Sequence, residues 1–176
     1  MYLTEYKVDC GDYQLHQSVC RFFSQDIEKG GRNFCYKRIG SGVVIFSDRS
    51  IAQHSIKNTI YKQGYRFSIE FTPNRKTYRD ENGKRKRHKN TMNGNDAANW
   101  LFNRFEGCAK LSDVKCKQLS PHKIEKPCGN NAMIFARYTA SGLITITNAQ
   151  ATEAKIVKGI GQGGAFGMGA MILEST

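Results

Sequence analysis

Residues 159–169 read GIGQGGAFGMG, six glycines in eleven positions. The first six residues match G-x-G-x-x-G, the pattern of a dinucleotide-binding loop. That loop needs a strand before it and a helix after it, so that the pyrophosphate rests on the helix N-terminus. Here the order is reversed. "AQATEAKIVK" (149–158) has a helical pattern behind Asn148, a capping residue, and Gly159 stands at the C-cap. "GAMILES" (169–175) reads as a strand. No Lys-Ser/Thr follows the glycines, which excludes a P-loop. The glycines therefore join a helix to a strand. They have two candidate purposes. Gly163, Gly164 and Gly167 relieve clashes in a tight connection, or consecutive N–H groups form a concave nest for phosphate oxygens.

A helix–loop–strand of this kind closes a β-α-β-β-α-β unit, and the residues upstream supply the rest. "YRFSIEFTPN" (65–74) alternates as a strand. Asn95 or Asp96 caps a helix with Ala97, Leu101 and Phe105 on one face, stopped by Gly107. "AMIFARYTA" (132–140) and "LITIT" (143–147) read as a hairpin turning at Ser141-Gly142. Residues 110–130 show no clear pattern. The N-terminal part repeats the order. "MYLTEYKV" is a strand, and Asp12 is placed to cap a helix over "YQLHQSVCRFF" (13–23). "NFCYKRI" (33–39) and "GVVIFS" (42–47) form a hairpin through Gly40-Ser41-Gly42, and "HSIKNTI" (54–60) supplies a further strand. The expected fold is α+β, two tandem ferredoxin-like (RRM-like) domains, residues 1–62 and 63–176.

The chain of 176 residues carries 27 Lys and Arg against 15 Asp and Glu, a formal net charge of +12. Such a charge points to an anionic partner, above all nucleic acid. It is also clustered. Residues 73–91, PNRKTYRDENGKRKRHKNT, hold Arg75, Lys76, Arg79, Lys84, Arg85, Lys86, Arg87 and Lys89 against Asp80 and Glu81, half of the net charge. Asn82-Gly83 marks a hairpin tip. A basic hairpin could follow the groove of an A-form helix, reading phosphates and shape; a solvated loop is the other reading. The six cysteines (10, 20, 35, 108, 116 and 128) include no C-x-x-C pair, so neither a structural zinc site nor any other metal or cofactor is expected. Most of them are read as small buried apolar residues. With no apolar run long enough for a membrane helix and no basic-then-apolar opening stretch, a soluble cytoplasmic protein without a membrane partner is expected.

On the helix after Asp12, Leu15, Val19, Phe22 and Phe23 form an apolar stripe. His16 falls at its border, and Tyr13 and Arg21 fall on the polar side. An imidazole transfers protons near neutral pH, and a guanidinium stabilises charge on a phosphorane. This set suffices to cut RNA without a metal: a base takes the 2′-OH proton and an acid protonates the leaving 5′-oxygen. His16 as a boundary histidine bonded to backbone is the alternative.

The motifs "MYLTEYKV", "DYQLHQSVCRFF", "YRFSIEFTPNRK" and "GIGQGGAFGMGAMIL", in this order, resemble the CasE family of CRISPR-associated endoribonucleases from type I-E Cascade. The resemblance implies two ferredoxin-like domains. It implies metal-independent cleavage of CRISPR precursor RNA at the base of the repeat hairpin, leaving a 2′,3′-cyclic phosphate and a 5′-hydroxyl. The enzyme would then stay on the 3′ stem-loop of the crRNA beside other Cascade subunits. The catalytic residues it implies are His16, Tyr13 and Arg21. Arg75 and Lys76 would lie near the RNA stem, and the loop containing Gly161, Gly163, Gly164 and Gly167 would face RNA. The family's loop usually has a lysine where this chain has Gly164, which leaves backbone N–H groups for contact. A crRNA-hairpin-binding subunit that does not cut, in a Cascade-like or type IV complex, is the alternative.

Overall fold

A computed structural model describes residues 1–24, 33–73, 77–79, 81–82, 85–87, 92–124 and 133–176. The first sheet is built from β1 (Tyr2–Lys7), β2 (Phe34–Ile39), β3 (Gly42–Ser47) and β4 (Ile56–Lys57), with α1 (Asp12–Phe22) between β1 and β2. Its order is β2-β3-β1-β4, with antiparallel pairing throughout. The second sheet is built from β5 (Gly64–Phe71), β8 (Ala109–Ile124), β9 (Met133–Ile146) and β10 (Met171–Ser175), in the order β10-β5-β9-β8. Helices α2 (Gly94–Phe105) and α3 (Ala149–Lys158) follow β5 and β9. Taking each unit's strands in chain order, both sheets run fourth-first-third-second. The α+β fold of two ferredoxin-like units is therefore present. The two sheets use residues 2–57 and 64–175.

The period of two in the strands explains the packing. In the first sheet Phe34, Tyr36, Val43 and Ile45 face α1 and enclose its Leu15 and Val19 and the C-cap residue Phe23. The alternate residues Cys35 and Phe46 face the other way, into a core with Ile156 and Val157 of α3 and Phe67, Phe71 and Ile144 of the second sheet. The buried Cys35 thiol donates to the Ile156 carbonyl at 3.1 Å. α3 thus joins the two sheets, helped by an ion pair between the Met1 amino group and Glu153.

Several sequence expectations are corrected. Ser141-Gly142 is not a turn: Met133–Ile146 is one strand of 14 residues, paired with a β8 of 16 residues that takes up 110–124 of the stretch lacking a clear pattern. Gly142 is needed for close approach, since a Cβ there would lie 2.8 Å from the Ser112 carbonyl oxygen, where β8 bulges and Asp113 takes φ 52°. The bulge pushes backbone toward β9, and only a hydrogen fits. α2 is capped by Asn93, whose side chain accepts from the Asp96 amide at 2.8 Å, rather than by Asn95 or Asp96. Asp12 does not cap α1; Gly11 takes that place, and Asp12 is the first helical residue. The strand expected over 54–60 shrinks to Ile56–Lys57. Phe22 leaves the buried stripe, 47% exposed, and stacks on Tyr6 at 5.5 Å. Of the cysteines, Cys35 and Cys108 are buried, Cys10, Cys20 and Cys116 are half-buried, and Cys128 lies outside the described residues. The cap at Asn148 and the C-cap at Gly159 stand as read, the latter with φ 77°.

Candidate functional site

The first helix and the glycine-rich loop, far apart in sequence, meet. The loop ends in a 3₁₀ turn over Gly164–Phe166, held between Gly163 (φ 84°) and Gly167 (φ 80°). Phe166 N–H donates to the Gly163 carbonyl at 2.7 Å. Both flanking residues are left-handed, a region where a side chain is strained and glycine is not. The turn presents Phe166 to α1, where its ring centroid lies 5.0 Å from that of His16. Phe166 also packs on Phe135 of β9 at 5.6 Å. A Cβ at Gly167 would sit 3.4 Å from the Tyr36 ring on β2. The loop tip therefore lies among α1, the first sheet and the second sheet.

Its root is tied down by backbone. Gln162 N–H donates to the Thr72 carbonyl at 2.8 Å, Ile160 N–H to Gly169 at 2.8 Å, and Gly169 N–H to Glu70 at 2.6 Å. A Cβ at Gly161 (φ 93°) would lie 2.3 Å from the Thr72 oxygen. These contacts account for Gly161, Gly163 and Gly167 as structure. Several loop amides that could have formed a nest already serve carbonyls of the protein.

His16 is half-buried, and Cys20, one turn on, brings its Sγ to 3.4 Å from Nδ1. Tyr13 is half-buried one turn before it. At 100° per residue, Tyr13 and His16 lie about 60° apart around the helix axis, whereas Arg21 lies about 140° from His16. Arg21 is exposed. The helix thus brings Tyr13 and His16 together on adjacent turns and sends Arg21 to another side.

The basic segment forms a hairpin, β6 (Thr77–Arg79) and β7 (Arg85–Arg87), with Arg79 opposite Arg85, Tyr78 opposite Lys86 and Thr77 opposite Arg87. Asn82 lies in the turn between them. Arg75, Lys76, Lys84 and Lys89 lie outside the described residues. The chain enters this segment from Thr72, the residue that also holds the glycine loop.

Sequence reasoning missed Phe166, which packs on His16, Phe135, which packs on Phe166, and Tyr36, buried with Leu15 and Val19 of α1. A lone phenylalanine within a glycine run was the available signal for the first. Among the described residues no group of three or more His, Cys, Asp or Glu could hold a metal ion. Burial pushes the Cys116 thiol above its ordinary value, which keeps it protonated and a poor nucleophile. Among the described residues no helix is long and apolar enough to cross a membrane.

The family model described as "CRISPR associated protein" matches residues 7–174. Cas6e from Escherichia coli str. K-12 has a similar structure, with TM-score 0.74, 19% identity and all of both chains covered (100% and 100%). CRISPR endoribonuclease Cse3 bound to a 19 nt RNA is similar at TM-score 0.69 and 16% identity, covering 98% of this chain and 99% of that one. A chain of a CRISPR RNA-guided surveillance complex is similar at TM-score 0.67 and 15% identity, covering 100% of each. No curated protein matches. At these identities the likeness to solved structures is one of fold.

Proposed function

We propose, for a chain that belongs to the CRISPR associated protein family, that it is an endoribonuclease of CRISPR precursor RNA, cutting at the base of the repeat hairpin without a metal. It then stays on the crRNA 3′ stem-loop beside other Cascade subunits, in the cytoplasm. Residues 1–62 form the domain with the chemistry. Residues 63–176 form the one with the basic hairpin and the glycine loop, both facing RNA. The observation that carries this reading is His16, half-buried on α1 and set against Phe166 at the meeting of both sheets. The fold shared with an RNA-bound endoribonuclease and with a subunit of a surveillance complex supports it.

The chemistry needs two proton transfers and stabilised charge. The 2′-OH loses its proton and attacks the adjacent phosphorus. The bond from phosphorus to the 5′-oxygen breaks, and that oxygen takes up a proton. The products are a 2′,3′-cyclic phosphate and a 5′-hydroxyl. His16 transfers protons, Tyr13 on the adjacent turn orients or donates to the reacting oxygens, and Arg21 offsets charge on the phosphorane. Arg21 lying on another side of the helix favours a second reading, a subunit that holds the hairpin without cutting it.

One experiment separates the two. Incubation with cognate hairpin in excess EDTA is expected to give cut product from wild type. His16→Ala is expected to lose about 10²–10⁴ in single-turnover rate, with binding to an uncleavable hairpin little changed. A 2′-deoxy sugar just 5′ of the scissile phosphate is expected to block cutting. Cleavage of that substrate would show a water nucleophile and overturn the mechanism. Intact RNA bound by wild type would establish the second reading.

A further inference from the structure

Asp12, the first residue of α1, ties the helix to both sheets. Its Oδ1 accepts from the Arg38 guanidinium of β2 at 3.2 Å, and Arg38 also donates to the Cys10 carbonyl at 2.9 Å. Its Oδ2 lies 3.2 Å from Nε2 of His122 on β8. One carboxylate at the head of α1 thus holds a partner from each sheet. His122 pairs in register with Phe135, the residue that packs on Phe166, which in turn packs on His16. A closed path follows: α1 head to β8, across to β9, through the glycine-loop turn, and back to α1 one turn after Asp12.

We infer that Asp12 is a positioning residue: through His122 it docks the His16 helix onto the second sheet and sets the distance from His16 to Phe166. This rests on the endoribonuclease reading for its effect on rate, though the docking itself does not. All three side chains are roughly one-third exposed, 34% for Asp12, 37% for Arg38 and 27% for His122. An ion pair this exposed contributes little to stability, and a carboxylate in the first turn would favour the helix dipole with no partner at all. The contribution of Asp12 is geometric. A reacting group displaced by about 1 Å can cost as much as 10²-fold in rate, whereas hairpin affinity depends on many phosphate contacts.

The test uses the full chain. Asp12→Asn keeps shape and loses charge; His122→Gln keeps a hydrogen-bonding side chain and loses the imidazole. Each is expected to slow single-turnover cleavage at saturating hairpin about tenfold, with affinity for an uncleavable hairpin within about twofold. The double variant is expected to be no slower than either single one, because both break the same tie. His122→Lys, which places an ammonium donor against the Asp12 carboxylate, is expected to recover most of the rate. A dipole-only role predicts that His122→Gln cuts at the wild-type rate, and independent roles predict that the two losses multiply; either result overturns the inference. Amide hydrogen exchange supplies a readout that needs no cleavage. Faster exchange across 12–22 in both single variants supports the docking even where wild type cuts nothing. Unchanged exchange overturns it.

Discussion

The two sheets share one strand order and differ in what covers them. The first is closed on both faces, by α1 on one side and by α3 with the second-sheet core on the other. Among the described residues, the second is closed along one face, and the other is met only near Phe135 and His122, by the glycine loop and the head of α1. Tyr65, Phe67, Ile69 and Phe71 of β5 and Tyr138, Ala140 and Ile144 of β9 point inward and are buried. Arg66, Ser141 and Leu143 point outward, beside Lys115 of β8, around an open cleft of about 530 Å³. Glu70 and Arg137 pair on that same face at 2.7 Å. Topology alone therefore does not say which faces are free. That depends on which alternate positions are apolar. The first sheet buries apolar residues from both sets; in the second the inward set is apolar and the outward set is mostly polar, with Phe135 and Leu143 among it.

The substitution with the largest expected effect on stability would break this contrast. Ile156 is fully buried where α3 meets both sheets. Ile156→Ala is expected to destabilise by about 2–5 kcal/mol, as for other large-to-small core changes, and to be read as a lower midpoint in urea unfolding. A loss below about 1 kcal/mol, within the range of ordinary surface changes, would mean that the first sheet does not depend on α3 for its second face.

A smaller effect tests the long β8–β9 pair that marks the second sheet. Gly142→Ala adds a Cβ against the backbone of the β8 bulge, 2.8 Å from the Ser112 oxygen and 3.0 Å from that of Asp113. Backbone yields less readily than a side chain, so a loss of about 1–3 kcal/mol is expected, in line with overpacking elsewhere. If Ser141-Gly142 were instead a hairpin turn, alanine would cost little and amides near 141–143 would exchange quickly.

The smallest effect on stability belongs to the hairpin that leaves the second sheet after Thr72. Replacing Arg85, Lys86 and Arg87 together by Ala is expected to leave the unfolding midpoint nearly unchanged. It should weaken binding of hairpins with different stem sequences by similar factors, since phosphate contacts position but do not specify. The slope of log affinity against log salt should flatten by somewhat under 1 for each lost contact. An unchanged slope would remove this segment from the interface. It would leave the difference between the sheets without the role in RNA binding proposed for the second.

Much of this protein was legible from local pattern. The stripe of Leu15, Val19 and Phe23, the alternation in β2, β3 and β5, the Asn148 cap and the Gly159 C-cap are all set by neighbours within about one helical turn or two strand positions, where periodicity speaks directly. The motif order carried the family. The helix arithmetic put His16 at the border of the buried face, and it is half-buried there. What only the tertiary structure decided are contacts between residues far apart in the chain. Gly142 looked like a turn because glycine's two uses, positive φ and close approach, leave the same letter in a sequence; the bulge thirty residues upstream chose between them. Asp12 looked like a cap because Asp before an amphipathic run commonly is one; Arg38 and His122 drew it away. Phe166 had no reading until the loop folded back onto α1 and laid its ring on His16, 150 residues earlier in the chain. Such pairs have no period, and their partners are chosen by how the two sheets come together.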